Sequence, residues 1–183
     1  MRKALAIILA VSVLFVTSCH RESELRREAC AALQDVFGAT ELPRDRDYPR
    51  FNDNMYYVSP EDRSDKGVVR TTVYMTYLRD VILPSEGPYG HVNVLIHEYK
   101  DESTAEAGYS GSSDGSNTHY SIDGFVLDGV QVNEFRGSLL DGNTTVWIAF
   151  DYTDDLDTSY AEQVFEFCDE VGIDHPDVSE LFG

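Results

Sequence analysis

Two apolar stripes at helical spacing bracket a series of alternating segments. In residues 24–37, Leu25, Ala29, Ala32, Leu33 and Val36 recur on one side of a predicted helix. Ser23 supplies its N-cap and Gly38 its stop. Near the other end, Tyr160, Ala161, Val164, Phe165, Cys168 and Val171 make a second stripe closed by Gly172, and Ser159 with Glu162 reads as its capping box. Between the stripes the period changes to two. Residues 55–58 form a short strand. In 68–78, Val69, Thr71, Val73, Met75 and Tyr77 point one way, with Arg70, Thr72 and Thr76 opposite. In 91–99, Val92, Val94 and Ile96 share a side. In 144–152, Val146, Ile148 and Phe150 face the core, while Trp147 and Ala149 face away. Strands at 120–127 and 130–140 complete the set, with Asp128-Gly129 and Asp141-Gly142-Asn143 as hairpin turns. Ser103 to Glu106 reads as a capping box opening a short helix. Residues 39–54, with two prolines and alternating charge, read as an ordered surface loop.

This order predicts an α+β fold: a single antiparallel sheet of about five to six strands, with the N- and C-terminal helices packed on one face. No internal repeat is visible, and residues 24–183 read as one domain. Its outline is similar to small sheet-and-helix domains of envelope lipoproteins and sensor ectodomains, in layout only.

The start of the chain adds a location. MRKALAIILAVSVLFVTSC has a positive start at Arg2 and Lys3, an apolar run broken only by Ser12, and the junction Val16-Thr17-Ser18-Cys19. The run is shorter than the about 20 residues a spanning helix needs and fits a secretory h-region. The stretch resembles a bacterial lipoprotein signal peptide, with residues 16–19 as its lipobox. The resemblance implies removal of residues 1–18, a diacylglycerol on the Cys19 sulfur, and a fatty acid such as palmitate on its new amino group. Residues 19–23 would then be a short tether. His20 stands where this family uses aspartate to hold a lipoprotein at the inner membrane, so in a double-membrane cell the outer membrane is favoured. The expected location is a cell membrane or outer membrane, facing the periplasm or exterior.

Charge narrows the partners. Losing residues 1–18 removes Arg2 and Lys3, leaving 12 basic against 33 acidic residues and a formal charge of −21 on 165 residues. Such a surface repels nucleic acid, and solubility in a salty exterior is its plain explanation. Arg44, Arg46 and Arg50 concentrate positive charge in the loop, where the domain's own carboxylates are their expected partners. With Cys19 lipidated, Cys30 and Cys168 remain as one pair in an oxidising compartment. A bridge between them would close a loop worth about 5 kcal/mol on the chain-entropy model. Two separate buried thiols are the alternative.

No motif fixes a reaction. His91, Asn93 and His97 lie opposite Val92, Val94 and Ile96. Six strand residues span about 20 Å, so the two histidines cannot share one ion unaided, and no His-based metal site is expected. Counted from Asp155, the residues Asp155, Asp157, Ser159 and Glu166 match part of a calcium-loop ladder. Tyr160 stands where the loop glycine belongs, and acidic residues before a helix also serve as caps. Gly108-Tyr-Ser110-Gly-Ser112 approaches a nucleophile elbow but lacks its last glycine and a buried strand before it. Eleven tyrosines and one tryptophan are many for one small domain, and Tyr74 and Trp147 fall on polar registers of their strands. The leading expectation is therefore a lipid-anchored, non-catalytic envelope protein without a cofactor. It would bind an envelope protein or small ligand through a sheet face carrying Tyr74, His91, His97 and Trp147. The alternatives are a small envelope hydrolase using the Ser110 loop and a calcium-stabilised adhesion or assembly protein using Asp155 and Asp157.

Overall fold

The computed structural model describes residues 23–43, 54–59, 66–79, 81–109 and 116–182. Helix α1 (Glu24–Phe37) leads into strands β1 (Thr40–Glu41), β2 (Met55–Ser59) and β3 (Val68–Tyr77). A 3-10 turn (Pro84–Glu86), β4 (Gly90–Tyr99) and the short helix α2 (Glu102–Gly108) follow. Then come β5 (Thr118–Leu127), β6 (Val130–Asp141), β7 (Thr144–Tyr152), α3 (Thr158–Val171) and α4 (Val178–Leu181). One seven-stranded sheet takes the order β1-β2-β3-β4-β7-β6-β5. The fold is α+β as expected, but the sheet is larger than five to six strands and is mixed: β1 pairs with β2 in parallel. The reason lies at the end of α1. Gly38 ends the helix in the left-handed conformation (φ 66°). The Asn54 side-chain amide donates to the Phe37 carbonyl at 2.7 Å. Thr40 N–H donates to the Asn54 carbonyl at 3.1 Å and Leu42 N–H to that of Tyr56 at 2.9 Å. The chain leaving the helix thus runs beside β2 in the same direction, inside the stretch expected to be loop.

Helices α1 and α3 pack together and cover one face of the sheet. Val92, Val94 and Ile96 of β4 and Val146, Ile148 and Phe150 of β7 are buried beneath them, as their alternation predicts. Phe37 stacks on Tyr74 with centroids 5.4 Å apart, and Phe165 meets Phe135 edge-on at 5.1 Å. At Gly137 a Cβ would lie 2.7 Å from Ile173 Cγ2, so a glycine lets the chain after α3 cross this face closely. The β5–β6 hairpin turns at Asp128 and Gly129, both at positive φ (52° and 80°), as a type I′ turn requires.

Both later caps lie two residues before the predicted serines. Asp157 accepts from Ser159 N–H at 3.0 Å and opens α3. Asp101 accepts from Thr104 N–H at 2.8 Å and opens α2. The α1 cap is Ser23 as predicted, its hydroxyl accepting from Arg26 N–H at 3.1 Å. This cap is also bolted to the sheet. Ser23 N–H donates to Glu98 Oε1 at 3.0 Å, and Thr144 Oγ1 donates to Ser23 Oγ at 2.7 Å. Below it, the buried Glu98 carboxylate pairs with Arg26 at 3.6 Å and Arg70 at 3.0 Å.

Candidate functional site

Among the described residues, the second face of the sheet carries no long helix. The short helix α2 lies against β4 and β7 there, with Tyr109 packed on Trp147 at 5.4 Å between centroids. Cross-strand pairing arranges this face in rows. One runs Val73, Leu95, Trp147, Ser138, His119. The next runs Met75, Asn93, Ala149, Arg136, Ser121, and a third Tyr77, His91, Asp151, Glu134, Asp123. Ala149 and Ser121 are small where Trp147 and Arg136 are large, and this difference opens a cleft of about 230 Å³ between Asn93, His119, Arg136 and Trp147. On the other side of Trp147 and Leu95 a wider depression of about 680 Å³ runs under α2, past His97 and Tyr99 to Lys66 and Lys100. Trp147, half-exposed, is the wall between the two.

The polar groups of this face are partly committed to one another. His91 Nδ1 lies 3.3 Å from Asp151 Oδ2, and its ring rests 5.0 Å from that of Tyr77. His97 Nδ1 and Thr71 Oγ1 are 3.0 Å apart. Arg136 reaches Glu134 at 2.6 Å, and the carboxylates of Glu134, Asp123 and Asp151 all hold its guanidinium in the charged form. Burial first, then the Asp151 charge and Tyr77, push the Tyr89 phenol up to about 12. Among the described residues, Asn93 Oδ1 and Asp151 Oδ1 are buried with no hydrogen-bond partner. Acceptors poised in this way, beside an indole and a guanidinium, suit a ligand that brings its own donors.

Three of the four expected face residues lie on this face: His91, His97 and Trp147; Trp147 and His97 line the wider depression, and His91 lines neither cavity. Tyr74 does not lie on this face. It sits on the helix-covered side at 1% exposure, stacked on Phe37, with its hydroxyl donating to Asn54 Oδ1 at 2.8 Å. Burial pushes its phenol up to about 12. The predicted grouping of β3 is correct, but its polar side is the inner one. Thr72, Tyr74 and Thr76 are buried while Met75 is 41% exposed. Thr72 earns its inward place by accepting from Arg26 Nε at 3.3 Å.

Asp155 and Asp157 take local work. Thr153 Oγ1 donates to Asp155 at 2.6 Å, and Asp157 caps α3. Among the described residues no three His, Cys, Asp or Glu side chains are grouped to hold a metal ion. Cys30 and Cys168 are free thiols. Cys30 on α1 hydrogen-bonds Thr72, and burial pushes both thiols above the ordinary cysteine range. Cys19, Arg44, Arg46, Arg50, Ser110 and Ser112 lie outside the described residues. Arg136, Ser121, Ser138, Lys66 and Lys100 were not anticipated as site residues. The β6 alternation around Phe135 would have put Arg136 on this face, but nothing in the sequence joins Lys66 to Lys100.

No protein-family model matches the chain, and no curated protein matches it. Among solved structures, it is similar to the extracellular domain of PknH from Mycobacterium tuberculosis, with 10% sequence identity and a TM-score of 0.36, over 84% of this chain and 98% of that one.

Proposed function

We propose that the protein is a lipid-anchored component of a bacterial cell envelope, held by Cys19, whose domain is non-catalytic and binds a protein or small ligand on the face of its sheet opposite α1 and α3. The observation that carries the binding half is the cleft beside Trp147, where Asn93 Oδ1 is buried without a partner and Arg136 and His119 stand at the rim. The anchoring half rests on the lipobox at residues 16–19. Tyr74 has no part in this face. The same reading carries the Cys30–Cys168 bridge as a product of the oxidising compartment. Both cysteines belong to the layer where α1 and α3 pack, which oxidation would staple.

The test is photo-crosslinking in the protein's own envelope. A crosslinker replacing Ser121, at the cleft rim, should capture one discrete partner or label a bound small molecule. The same probe at Glu166, on the exposed side of α3, should capture neither. Trp147→Ala should abolish capture while the far-ultraviolet spectrum is retained. Equal capture from both positions, or capture indifferent to Trp147→Ala, overturns the reading. For the anchor, labelled palmitate should enter the wild-type chain and not Cys19→Ala.

A further inference from the structure

We infer that the wider depression on the face opposite α1 and α3 seats the phosphate of a phospholipid headgroup from the bilayer that carries the protein, an inference that rests on the lipid anchoring proposed above. Once residues 1–18 are removed, the chain keeps only two lysines, Lys66 and Lys100. They are 34 positions apart, yet both line this depression. Lys100 N–H donates to the Gly67 carbonyl at 2.9 Å, which sets the β3 entrance beside the β4 exit. In a mature chain with 33 acidic residues, two lysines on one depression stand out. Neither is spent on a strong pair. Lys66 has no ion pair among the described residues. Among the described residues, Lys100 pairs with Asp101 at 4.0 Å, and that carboxylate already accepts from Thr104 N–H and Ser103 Oγ at the head of α2.

Position selects the ligand. Ser23, bonded to Glu98 and Thr144, stands at the same end of the sheet as the two lysines. Tyr99 N–H donates to the Asn143 carbonyl at 2.8 Å across that end. Only residues 20–22 separate Cys19 from Ser23, and a chain that short reaches at most about 14 Å. A lipidated Cys19 therefore holds the Lys66–Lys100 end at headgroup height. Tyr99 and Trp147 in the same depression are the ring types that settle at that depth. Two lysines lining one depression suit a phosphodiester group, and basic side chains close to a bilayer surface bind such groups. Free phosphate offers the same chemistry, but a tethered protein meets lipid phosphate at a far higher local concentration. The acidic remainder of the domain is repelled from the surface, so the contact is confined to this end.

Trp147 is the chain's only tryptophan and lies in the depression, so it reports on occupancy. Full-length lipidated protein would be placed in phosphatidylethanolamine–phosphatidylglycerol vesicles containing a headgroup spin-labelled phospholipid. Trp147 emission should fall by about twofold, and Lys66→Glu/Lys100→Glu should restore most of it while the protein still floats with the vesicles. Both lysines are exposed, so the variant should keep the wild-type melting midpoint. Equal quenching in wild type and variant, or no quenching of a protein that floats, overturns the headgroup seat and leaves the anchor standing. Failure to float, with Cys19→Ala behaving like wild type, overturns the anchor and the seat with it. In a separate arm, inorganic phosphate is titrated into detergent-solubilised protein without vesicles. A saturable submillimolar change in Trp147 emission would assign the site to the free ion and overturn the lipid assignment, whereas no response supports it.

Discussion

The two faces of the central strands β4 and β7 are built from the same backbone and have opposite characters. Towards α1 and α3 the strands present Val92, Val94, Ile96, Val146, Ile148 and Phe150, all buried. Towards α2 they present His91, Asn93, His97, Trp147 and Asp151, at intermediate exposure and partly paired. The first face is held by apolar burial, which does not depend on direction. The second is held by specific pairs that leave acceptors unfilled. Stability should therefore concentrate on one side of the sheet and recognition on the other.

The largest effect should come from truncating the inner face. Phe150→Ala should cost about 3–5 kcal/mol by urea unfolding, and Trp147→Ala less than half of that because its ring is partly in water. Similar costs for the two would erase the distinction. Next is Glu98, buried between Arg26 and Arg70. Glu98→Ala should cost about 3 kcal/mol because it strands two guanidinium groups, read as a lower denaturation midpoint. Ser23→Ala removes a cap and should cost about 1 kcal/mol, with the loss concentrated in faster amide exchange over the first turn of α1.

A fourth, smaller effect is seen only in alkali. Burial pushes the phenols of Tyr74, Tyr89 and Tyr152 up to about 12. A raised folded value means that the native state binds the proton more tightly than the unfolded one. Their contribution is thus whole below about pH 10, the ordinary phenol value, and is lost as pH climbs towards 12. Absorbance at 295 nm should show these phenols ionising late and together with unfolding. Substituting Tyr89→Phe tests the face that carries α2, and Tyr74→Phe the one under α1 and α3. A tyrosinate signal complete near pH 10 with the fold intact would contradict the burial of all three. Thiol reactivity separates a further pair. In the reduced protein the half-buried Cys30 should label faster than the fully buried Cys168, and a native preparation with no titratable thiol would establish the bridge.

The sequence was most legible where one rule acted alone. Ser23 and Gly38 bound α1 as expected, Asp128-Gly129 turns its hairpin, and β4 and β7 alternate cleanly because one side is dry. It was least legible where both sides of a strand are half-covered. In β3 the outward residues Val69, Val73 and Met75 are more apolar than the inward Thr72, Tyr74 and Thr76, and a bulge near Val68 shifts the register. Tyr74 was misplaced for that reason. Strand β1 has only two residues, both polar, so it has no period to read. Serine and aspartate both cap helices, and the two aspartates took the positions expected of Ser103 and Ser159. The candidate site was half visible. His91, His97 and Trp147 follow from alternation, whereas the cleft depends on Arg136 meeting Ala149 across β6 and β7. The lysine pair depends on β3 meeting β4.

The double bond from Ser23 to Glu98 and Thr144 has a mechanical consequence. A pull on the N-terminus does not first uncoil α1. It arrives at Ser23 and passes at once into β4 and β7, two strands in the middle of the sheet. The load is carried by the centre of the sheet, and the helix is spared until those two bonds give way. In a force spectrometer, extension from the N-terminus should begin with one high rupture rather than a gradual lengthening, and Glu98→Gln should lower that threshold.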